Sequence, residues 1–237
     1  MSIKAILFDL DGTLLPMDQD KFVKAYFSLL AEHLAPHGYD PKELVGEIWR
    51  GTEAMVRNKG DMTNEEAFWT SFAAHYGDQV RSHEPIFAEF YETKFEKVGA
   101  VLGYDPKAAE TVKALRGMGL RLILATNPIF PAAATKIRIK LAGLEENDFE
   151  LVTTYENSRH CKPNPDYYRD ILEKAGLTAD ECIMVGNDTV EDIAASARVG
   201  IKSYLLTACI INKDGIDPAS IPSGDFDGLM QFIRESI

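Results

Sequence analysis

The sequence predicts an α/β protein, with a parallel-sheet core and an inserted, all-helical module. Three observations lead to this fold class. A short apolar run over residues 3–8 opens the chain, residues 15–100 follow a helical pattern throughout, and strands alternate with helices from residue 101 onward. Strands that alternate with helices of about 10–15 residues form βαβ units, which build parallel sheets. We therefore expect an α/β core of residues 1–14 and 101–237 and a helical cap domain of residues 15–100.

The first strand is predicted over residues 3–8, because a short apolar run followed by Gly12 is typical of a buried strand. Asp9 stands at its carboxyl end, and Asp11 follows two residues later. Ligands of open α/β sheets bind at the carboxyl ends of the strands. Two neighbouring carboxylates repel each other unless a divalent cation such as Mg²⁺ binds them. A metal site is therefore predicted here, with a solvated turn as the simpler alternative.

The inserted module is predicted to contain four amphipathic helices. Apolar residues recur with a helical period in each segment, and capping residues precede several of them. At Asp40, for example, a capping carboxylate is followed by Pro41, which favours the first turn of a helix. The first segment is residues 21–35, with Asp18 and Asp20 before it as candidate caps, and the second begins at Pro41. The third follows a capping box of Thr63 and Glu66, and the fourth is residues 86–95.

The rest of the chain continues the α/β core. Gly and Pro residues separate apolar runs of strand length from amphipathic segments of helix length. We predict strands over 121–126, 150–153, 182–185 and 202–206, helices over 106–117, 131–141, 165–175, 190–199 and 226–236, and a loop over 215–224.

Composition argues against several classes of protein. The formal net charge of −12 argues against a nucleic-acid partner, because that binding needs a basic surface. No apolar stretch approaches the roughly 18–20 residues of a membrane span, and the N-terminus does not resemble a signal peptide. Three dispersed cysteines suit a reducing cytoplasm without disulfides or a zinc site. We expect a cytoplasmic protein with no nucleic-acid or membrane partner, and we leave its oligomeric state open.

Polar residues also follow the later strands. Thr126 and Asn127 end the second strand, Lys162 follows the third, and Asp188 and Asp192 follow the fourth. Each alone is also typical of a turn, a solvated loop or a helix cap. Because the carboxyl ends of parallel strands share one edge of the sheet, we expect these side chains to meet the two acids of the first strand. Carboxylates, a hydroxyl and a lysine together are what metal-assisted phosphoryl transfer requires.

In this order the motifs resemble those of the haloacid dehalogenase superfamily of hydrolases, in the group with a helical cap inserted after the first motif. The matching segments are Asp9-Leu-Asp11-Gly-Thr13, Thr126-Asn127, Lys162-Pro163, and Gly186-Asn187-Asp188 through Asp192. The resemblance implies a Rossmann-like sheet with the first strand between the fourth and the second. It also implies Mg²⁺ bound by Asp9, by the backbone carbonyl of Asp11 and by an acid of the fourth motif.

The resemblance further suggests roles for single residues. Asp9 is expected to be the nucleophile that forms an aspartyl phosphate, and Asp11 the general acid–base. Thr126 and Lys162 complete the predicted catalytic set. Together with Asn127, they are also expected to bind the substrate.

The fourth motif departs from the family pattern, which commonly begins Gly-Asp. Here Gly186 is followed by Asn187 and then by Asp188. In one alignment Asn187 replaces the first acid and Asp192 keeps its place; in the other, Asp188 and Asp192 form the acid pair. We favour the second, because Mg²⁺ beside a phosphate needs carboxylate charge that Asn187 lacks. Asp188 is then the expected ligand, with Asp192 in support through Lys162 or as an alternate ligand.

The predicted function is Mg²⁺-dependent hydrolysis of a small phosphorylated metabolite. A phosphoglucomutase-like transfer on the same scaffold is the nearest alternative. A 2-haloacid dehalogenase is disfavoured because that reaction has no use for a second acid at position 11. A phospho-accepting signalling domain is disfavoured by the long helical insert. The cap is expected to select the substrate, with Arg50 as the predicted contact and Trp49, Arg57 and Lys59 as further candidates.

Overall fold

Six strands form one parallel sheet in the computed structural model, which describes residues 2–237. They are β1 (Ala5–Phe8), β2 (Arg121–Leu124), β3 (Leu151–Val152), β4 (Cys182–Gly186), β5 (Lys202–Leu206) and β6 (Ser223–Gly224). Their spatial order is β3-β2-β1-β4-β5-β6. This order confirms the predicted α/β fold, with the first strand between the fourth and the second.

Both faces of the sheet are covered, which explains why its central strands are continuous apolar runs. Every residue of β1 is fully buried. Ile6 and Phe8 belong to an apolar cluster that extends into the helices of residues 19–101, whereas Ala5 and Leu7 belong to a second cluster on the opposite face. This alternation is the period of two expected of a strand. Because β1 is packed on both sides, the residue that follows it, Asp9, has a fixed position at the edge of the sheet.

Helices surround the sheet and build the inserted module. Within residues 2–237 they are α1 (Gln19–Leu34), α2 (Pro41–Val56), α3 (Asn64–Tyr76), α4 (Glu84–Thr93), α5 (Pro106–Gly117), α6 (Ala132–Leu141), α7 (Pro165–Ala175), α8 (Ala195–Ala197) and α9 (Phe226–Ser236). The first four, with the 3₁₀ turns between and after them up to Val101, are called the helical insert below. The exact cap boundary at residues 15–100 stays a prediction.

The predicted capping residues begin the first three helices of the insert. Asp18 accepts a hydrogen bond from the backbone N–H of Lys21, and Asp40 accepts two from the first turn of α2. The hydroxyl of Thr63 likewise accepts from the third residue of α3. These bonds satisfy backbone donors that a helix leaves free at its N-terminus. Asp20 lies in the first turn of α1 and is not its cap.

Three elements differ from the sequence predictions. β2 ends at Leu124, so Thr126 lies in the loop that follows. Residues 215–224, predicted as a loop, contain the edge strand β6, which at two residues is too short to show an apolar run. The helix predicted over 190–199 begins as a π-helical segment, Thr189–Ala194, before α8. Turns of this kind occur frequently at functional sites. In the described part of the chain, no helix is long and apolar enough to cross a lipid bilayer.

Candidate active site

A buried lysine joins two carboxylates at the carboxyl edge of the sheet. The Nζ atom of Lys162 lies 2.8 Å from Oδ1 of Asp9 and 2.7 Å from Oδ1 of Asp192. Lys162 is 153 positions from Asp9 and 30 from Asp192 in the sequence, and the parallel strands bring the three together. Burial opposes the charge of Lys162, but the two carboxylates outweigh it and raise the pKa of its ammonium well above the usual range.

The second oxygen of Asp9 belongs to a short polar chain. The hydroxyl of Thr13 lies 3.0 Å from both Oδ2 of Asp9 and Oδ1 of Asn187. The amide nitrogen of Asn187 donates to the backbone carbonyl of Cys209, so its oxygen is the atom that faces Thr13. Gly12 permits this approach. Its φ is +86°, and a Cβ there would lie 2.3 Å from the amide nitrogen of Asn187.

Asp11 is held by an arginine from another element. Arg138 of α6 is buried, and its guanidinium forms an ion pair with Oδ2 of Asp11. The same group donates to Thr135 Oγ1 at 3.2 Å and lies over the ring of Phe130 at 4.5 Å. Burial raises the pKa of Asp11, and Asp9 adds to this shift, whereas Arg138 opposes it. Oδ1 of Asp11 is buried without a hydrogen-bond partner. Arg138 was not predicted as a site residue from the sequence. A charged residue on the buried face of a helix needs a partner of opposite charge, and this could have indicated its role.

The two acids of the fourth motif have different surroundings. Asp192 is buried, and its Oδ2 accepts hydrogen bonds from the backbone N–H groups of Asn187 and Asp188, each at 3.0 Å. Burial raises the pKa of Asp192 to about 6, although the neighbouring Lys162 opposes this shift. Asp188 uses Oδ1 to cap the π-helical segment, through the N–H groups of Val190 and Glu191. One oxygen of Asp188 is therefore engaged as a cap, and both oxygens of Asp192 are engaged by Lys162 or by the backbone.

The loop after β2 contributes Thr126 and Asn127. Both line the cavity at the sheet edge. The amide nitrogen of Asn127 donates to Oε2 of Glu191 at 3.0 Å, and its amide oxygen is buried without a partner. The backbone carbonyl of Thr126 accepts from the hydroxyls of Thr153 and Tyr167, which fixes the loop. Glu191 was not singled out from the sequence, because an acid in the first turn of a helix is common on protein surfaces.

One cavity of about 620 Å³ lies between the sheet edge and the helical insert. The lining includes six of the eight predicted site residues: Asp9, Asp11, Thr126, Asn127, Asp188 and Asp192. Lys162 lies directly behind Asp9. Arg50, the eighth, does not belong to the lining; its side chain is exposed and binds Glu47 at 2.7 Å. Of the other cap candidates, Trp49 lines the cavity, and Arg57 and Lys59 do not.

The sequence also matches a known family. The sequence model of the haloacid dehalogenase-like hydrolase family matches residues 3–200, which is most of the chain. The chain belongs to this family. The resemblance seen in the motifs is therefore confirmed, and the protein is an enzyme of the hydrolase class.

Relatives of this hydrolase bear the names of more than one activity. The pyrophosphatase PpaX of Halalkalibacterium halodurans is 27% identical over 215 residues, which cover 90% of this chain and 88% of the relative. A HAD phosphatase from Thermococcus onnurineus has a TM-score of 0.58 at 20% identity over 98% of both chains. A 2-haloacid dehalogenase from Pseudomonas syringae pv. Tomato DC3000 has a TM-score of 0.62 at 17% identity, over 98% of this chain and 99% of its own. The structures share the fold, so the reaction must be inferred from the site.

The site of this hydrolase carries more negative than positive charge. Five carboxylates lie at the sheet edge: Asp9, Asp11, Asp188, Glu191 and Asp192. Two buried cations pair with three of them: Lys162 with Asp9 and Asp192, and Arg138 with Asp11. Burial raises the pKa of Glu191 to about 7; Lys162 opposes this shift, and the nearby aspartates add to it. Such an excess of carboxylate charge is costly to bury, and a bound cation would relieve it.

The donor atoms fit a hard divalent cation. Within residues 2–237, no three Asp, Glu, His or Cys side chains form a metal-ligand cluster by themselves. A cation at this edge would therefore also take oxygens of other kinds, and the Asp11 backbone carbonyl and the Asn187 amide oxygen are of the right type. Mg²⁺ accepts such mixed oxygen donors and usually keeps several waters, so a few protein oxygens are sufficient.

Proposed function

We propose that this hydrolase is a Mg²⁺-dependent phosphatase that acts on a small phosphorylated metabolite through an aspartyl phosphate on Asp9. The observation that carries the proposal is the Asp9–Lys162–Asp192 group at the end of β1. It gives a carboxylate that lines the cavity, oriented by a buried ammonium whose positive charge also favours a phosphate beside Asp9. A carboxylate in this setting is a nucleophile of the kind that forms aspartyl phosphates. The phosphatase and pyrophosphatase names of its relatives support the same reaction class.

The reaction has two steps in this proposal. An oxygen of Asp9 first bonds to phosphorus, the bond from phosphorus to the leaving-group oxygen breaks, and Asp11 donates its proton to that oxygen. Asp11 then accepts a proton from water as the water oxygen bonds to phosphorus, which breaks the bond to Asp9 and releases inorganic phosphate. Lys162 and Thr126 stabilise the phosphoryl oxygens throughout. Arg138 acts through Asp11 and is a positioning residue, because it holds that carboxylate at the cavity.

Three groups would hold the metal in this proposal: Asp9, the backbone carbonyl of Asp11, and Asp188. Asp192 would support them through Lys162, which it contacts at 2.7 Å. Asn187 is the alternative to Asp188, because its amide oxygen faces Thr13 beside Asp9. When bound, Mg²⁺ supplies positive charge that offsets the charge of the phosphoryl group.

Residues 15–100 would act as a cap that covers the phosphate and selects the leaving group. Thr126 and Asn127, which line the cavity, would contact the phosphate, and Lys162 would act on it from behind Asp9. Arg50 is not retained as a substrate contact, because its guanidinium binds Glu47 outside the cavity.

Pyrophosphate hydrolysis is a second candidate, because several relatives are named pyrophosphatases. A phosphoglucomutase-like transfer remains a third. A screen of phosphomonoesters and pyrophosphate, with Mg²⁺ and with a chelator, separates them by the release of inorganic phosphate. The proposal predicts release from a monoester that stops in chelator and in Asp9→Asn. Conversion of a sugar phosphate to its isomer without release would support the mutase, and release from pyrophosphate alone would support the second candidate.

A further inference from the structure

The wall of the cavity that the helical insert forms has an unusual composition. Fourteen residues of the helical insert line the cavity, and eight of them are aromatic, including Phe22, Trp49 and Trp69. Asp20 is the only charged residue among the fourteen. The part of the cavity that would receive the leaving group is therefore apolar.

The three hydroxyl groups of this wall, on Tyr26, Thr52 and Tyr91, are already bound to protein. Gln19 and Asp20 are its remaining polar side chains, apart from the indole N–H groups. The hydroxyls of Tyr26 and Tyr91 lie 2.9 Å apart and bond to each other. The hydroxyl of Thr52 donates to the backbone carbonyl of Ile48 at 2.9 Å. A sugar or polyol would lose its hydrogen bonds to water on entry and would find few replacements here, which is unfavourable.

Cations are also scarce on this wall. Lys213 is the only Lys or Arg side chain that lines the cavity within residues 2–237, and it comes from the loop after β5, not from the insert. A second phosphate group placed away from Asp9 would meet aromatic rings and would have no positive partner there. The wall therefore disfavours pyrophosphate, although relatives of the chain are named pyrophosphatases.

We propose that the substrate is a phosphomonoester with a bulky apolar leaving group, which packs against the aromatic wall while its phosphate lies at Asp9. The cavity volume of about 620 Å³ is within the range that holds a drug-sized ligand. This inference rests on the proposed phosphatase function and specifies its substrate class. Contacts between the apolar leaving group and the wall raise kcat/KM when they are also made in the transition state.

A series of n-alkyl phosphates from methyl to octyl tests the inference directly. Each methylene that enters the cavity should raise kcat/KM about fourfold, until the cavity is filled. Propyl phosphate should exceed glycerol 1-phosphate by tenfold or more, because the two differ only by hydroxyls that the wall leaves unpaired. Pyrophosphate should be hydrolysed less efficiently than octyl phosphate. A flat series, or a preference for glycerol 1-phosphate or pyrophosphate, would overturn the inference.

Intrinsic fluorescence gives a readout that is independent of turnover. The chain has two tryptophans, and both Trp49 and Trp69 line the cavity. Octylphosphonate, which cannot be hydrolysed, should change their emission at lower concentration than methylphosphonate. If no phosphate is released from any ester, the proposed function fails; a fluorescence change with octylphosphonate would then still show an apolar binding cavity. If esters are hydrolysed but octylphosphonate binds no better than methylphosphonate, only the substrate class is wrong.

Two variants of α2 provide a matched comparison. Trp49 and Val56 are both exposed hydrophobic residues, at 50% and 41%, but only Trp49 lines the cavity. Trp49→Gln should reduce the ratio of kcat/KM for octyl over methyl phosphate by tenfold or more. Val56→Gln should leave this ratio unchanged. Equal ratios in the two variants would mean that the alkyl chain does not reach this wall, and would contradict the inference.

Discussion

The ion pair between Asp11 and Arg138 predicts an unequal response to the loss of either partner. Arg138 is 1% exposed, whereas Asp11 is 20% exposed. Arginine stays protonated in proteins, so Asp11→Asn leaves a charge buried that cannot be removed. Arg138→Met leaves a carboxylate that can contact water in the cavity or take up a proton. Asp11→Asn should therefore destabilise the fold more than Arg138→Met.

The magnitudes follow from the burial of each partner. Removing one member of a buried ion pair costs about 3–5 kcal/mol, and we expect about 3 kcal/mol for Asp11→Asn because Arg138 keeps Thr135 and the ring of Phe130. For Arg138→Met we expect roughly half of this, because Asp11 is partly exposed. A chain of this size loses about 2–4 °C in Tm per kcal/mol, so Asp11→Asn should lower Tm by roughly 6–12 °C.

Denaturant and thermal unfolding of both single variants and the double variant measure the effect. The double variant should be more stable than Asp11→Asn alone, because it buries no unpaired charge. Arg116→Met is a suitable control, since Arg116 forms an exposed pair with Asp148 and should cost less than about 1 kcal/mol. The reasoning is refuted if Asp11→Asn is as stable as the wild type, or if the double variant is destabilised by the sum of the two single losses.

Three further predictions concern the rest of the site. Lys162→Met leaves Asp9 and Asp192 facing each other without a cation, so the free energy of unfolding should fall by about 3–5 kcal/mol; an unchanged denaturant midpoint would contradict this. Asp188→Ala should raise the Mg²⁺ concentration needed for half activity more than Asn187→Ala or Asp192→Ala does. Asp192→Ala should lose roughly 10–100-fold in activity. A near-normal Asp188→Ala beside an inactive Asp192→Ala would favour the other alignment. Asn64 is buried and donates to the carbonyl of residue 128, in the loop after β2, at 3.1 Å. Asn64→Ala should therefore lower the free energy of unfolding by about 1–3 kcal/mol. An unchanged Tm in calorimetry would show that this hydrogen bond does not stabilise the fold.

The sequence was sufficient to predict the sheet and the set of residues at its edge, for a physical reason. Apolar runs that end in a polar residue mark buried parallel strands, and parallel strands end on one side. Asp9, Lys162 and Asp192 are far apart in the chain, yet each follows or lies near such a strand end, and the structure brings them into contact. Their catalytic roles stay predictions that the experiments above test.

Residues that depend on helix packing could not be predicted in the same way. Arg138 lies within α6, and its pairing with Asp11 depends on how that helix sits against the loop after β1. Arg50 is the opposite case: this residue of the insert was expected to contact the substrate, but its side chain on α2 binds Glu47 and does not line the cavity. The apolar residues of the insert were recognised as helix faces. Periodicity alone did not show which of them, such as Trp69, would line a cavity and which would pack in the core.

Identification of the phosphorylated residue tests the central claim most directly. Asp11→Asn should slow breakdown of the intermediate, because no general base then activates water, and nitrophenyl phosphate, which has a good leaving group, keeps its formation fast. After incubation with this ester and Mg²⁺ and an acid quench, peptide mass spectrometry at low pH should locate the phosphoryl group on Asp9. The same treatment of an Asp9→Asn and Asp11→Asn double variant should give no label. A phosphoryl group on any other residue, or phosphate release by the wild type with no label on Asp9 at any time, would contradict the account.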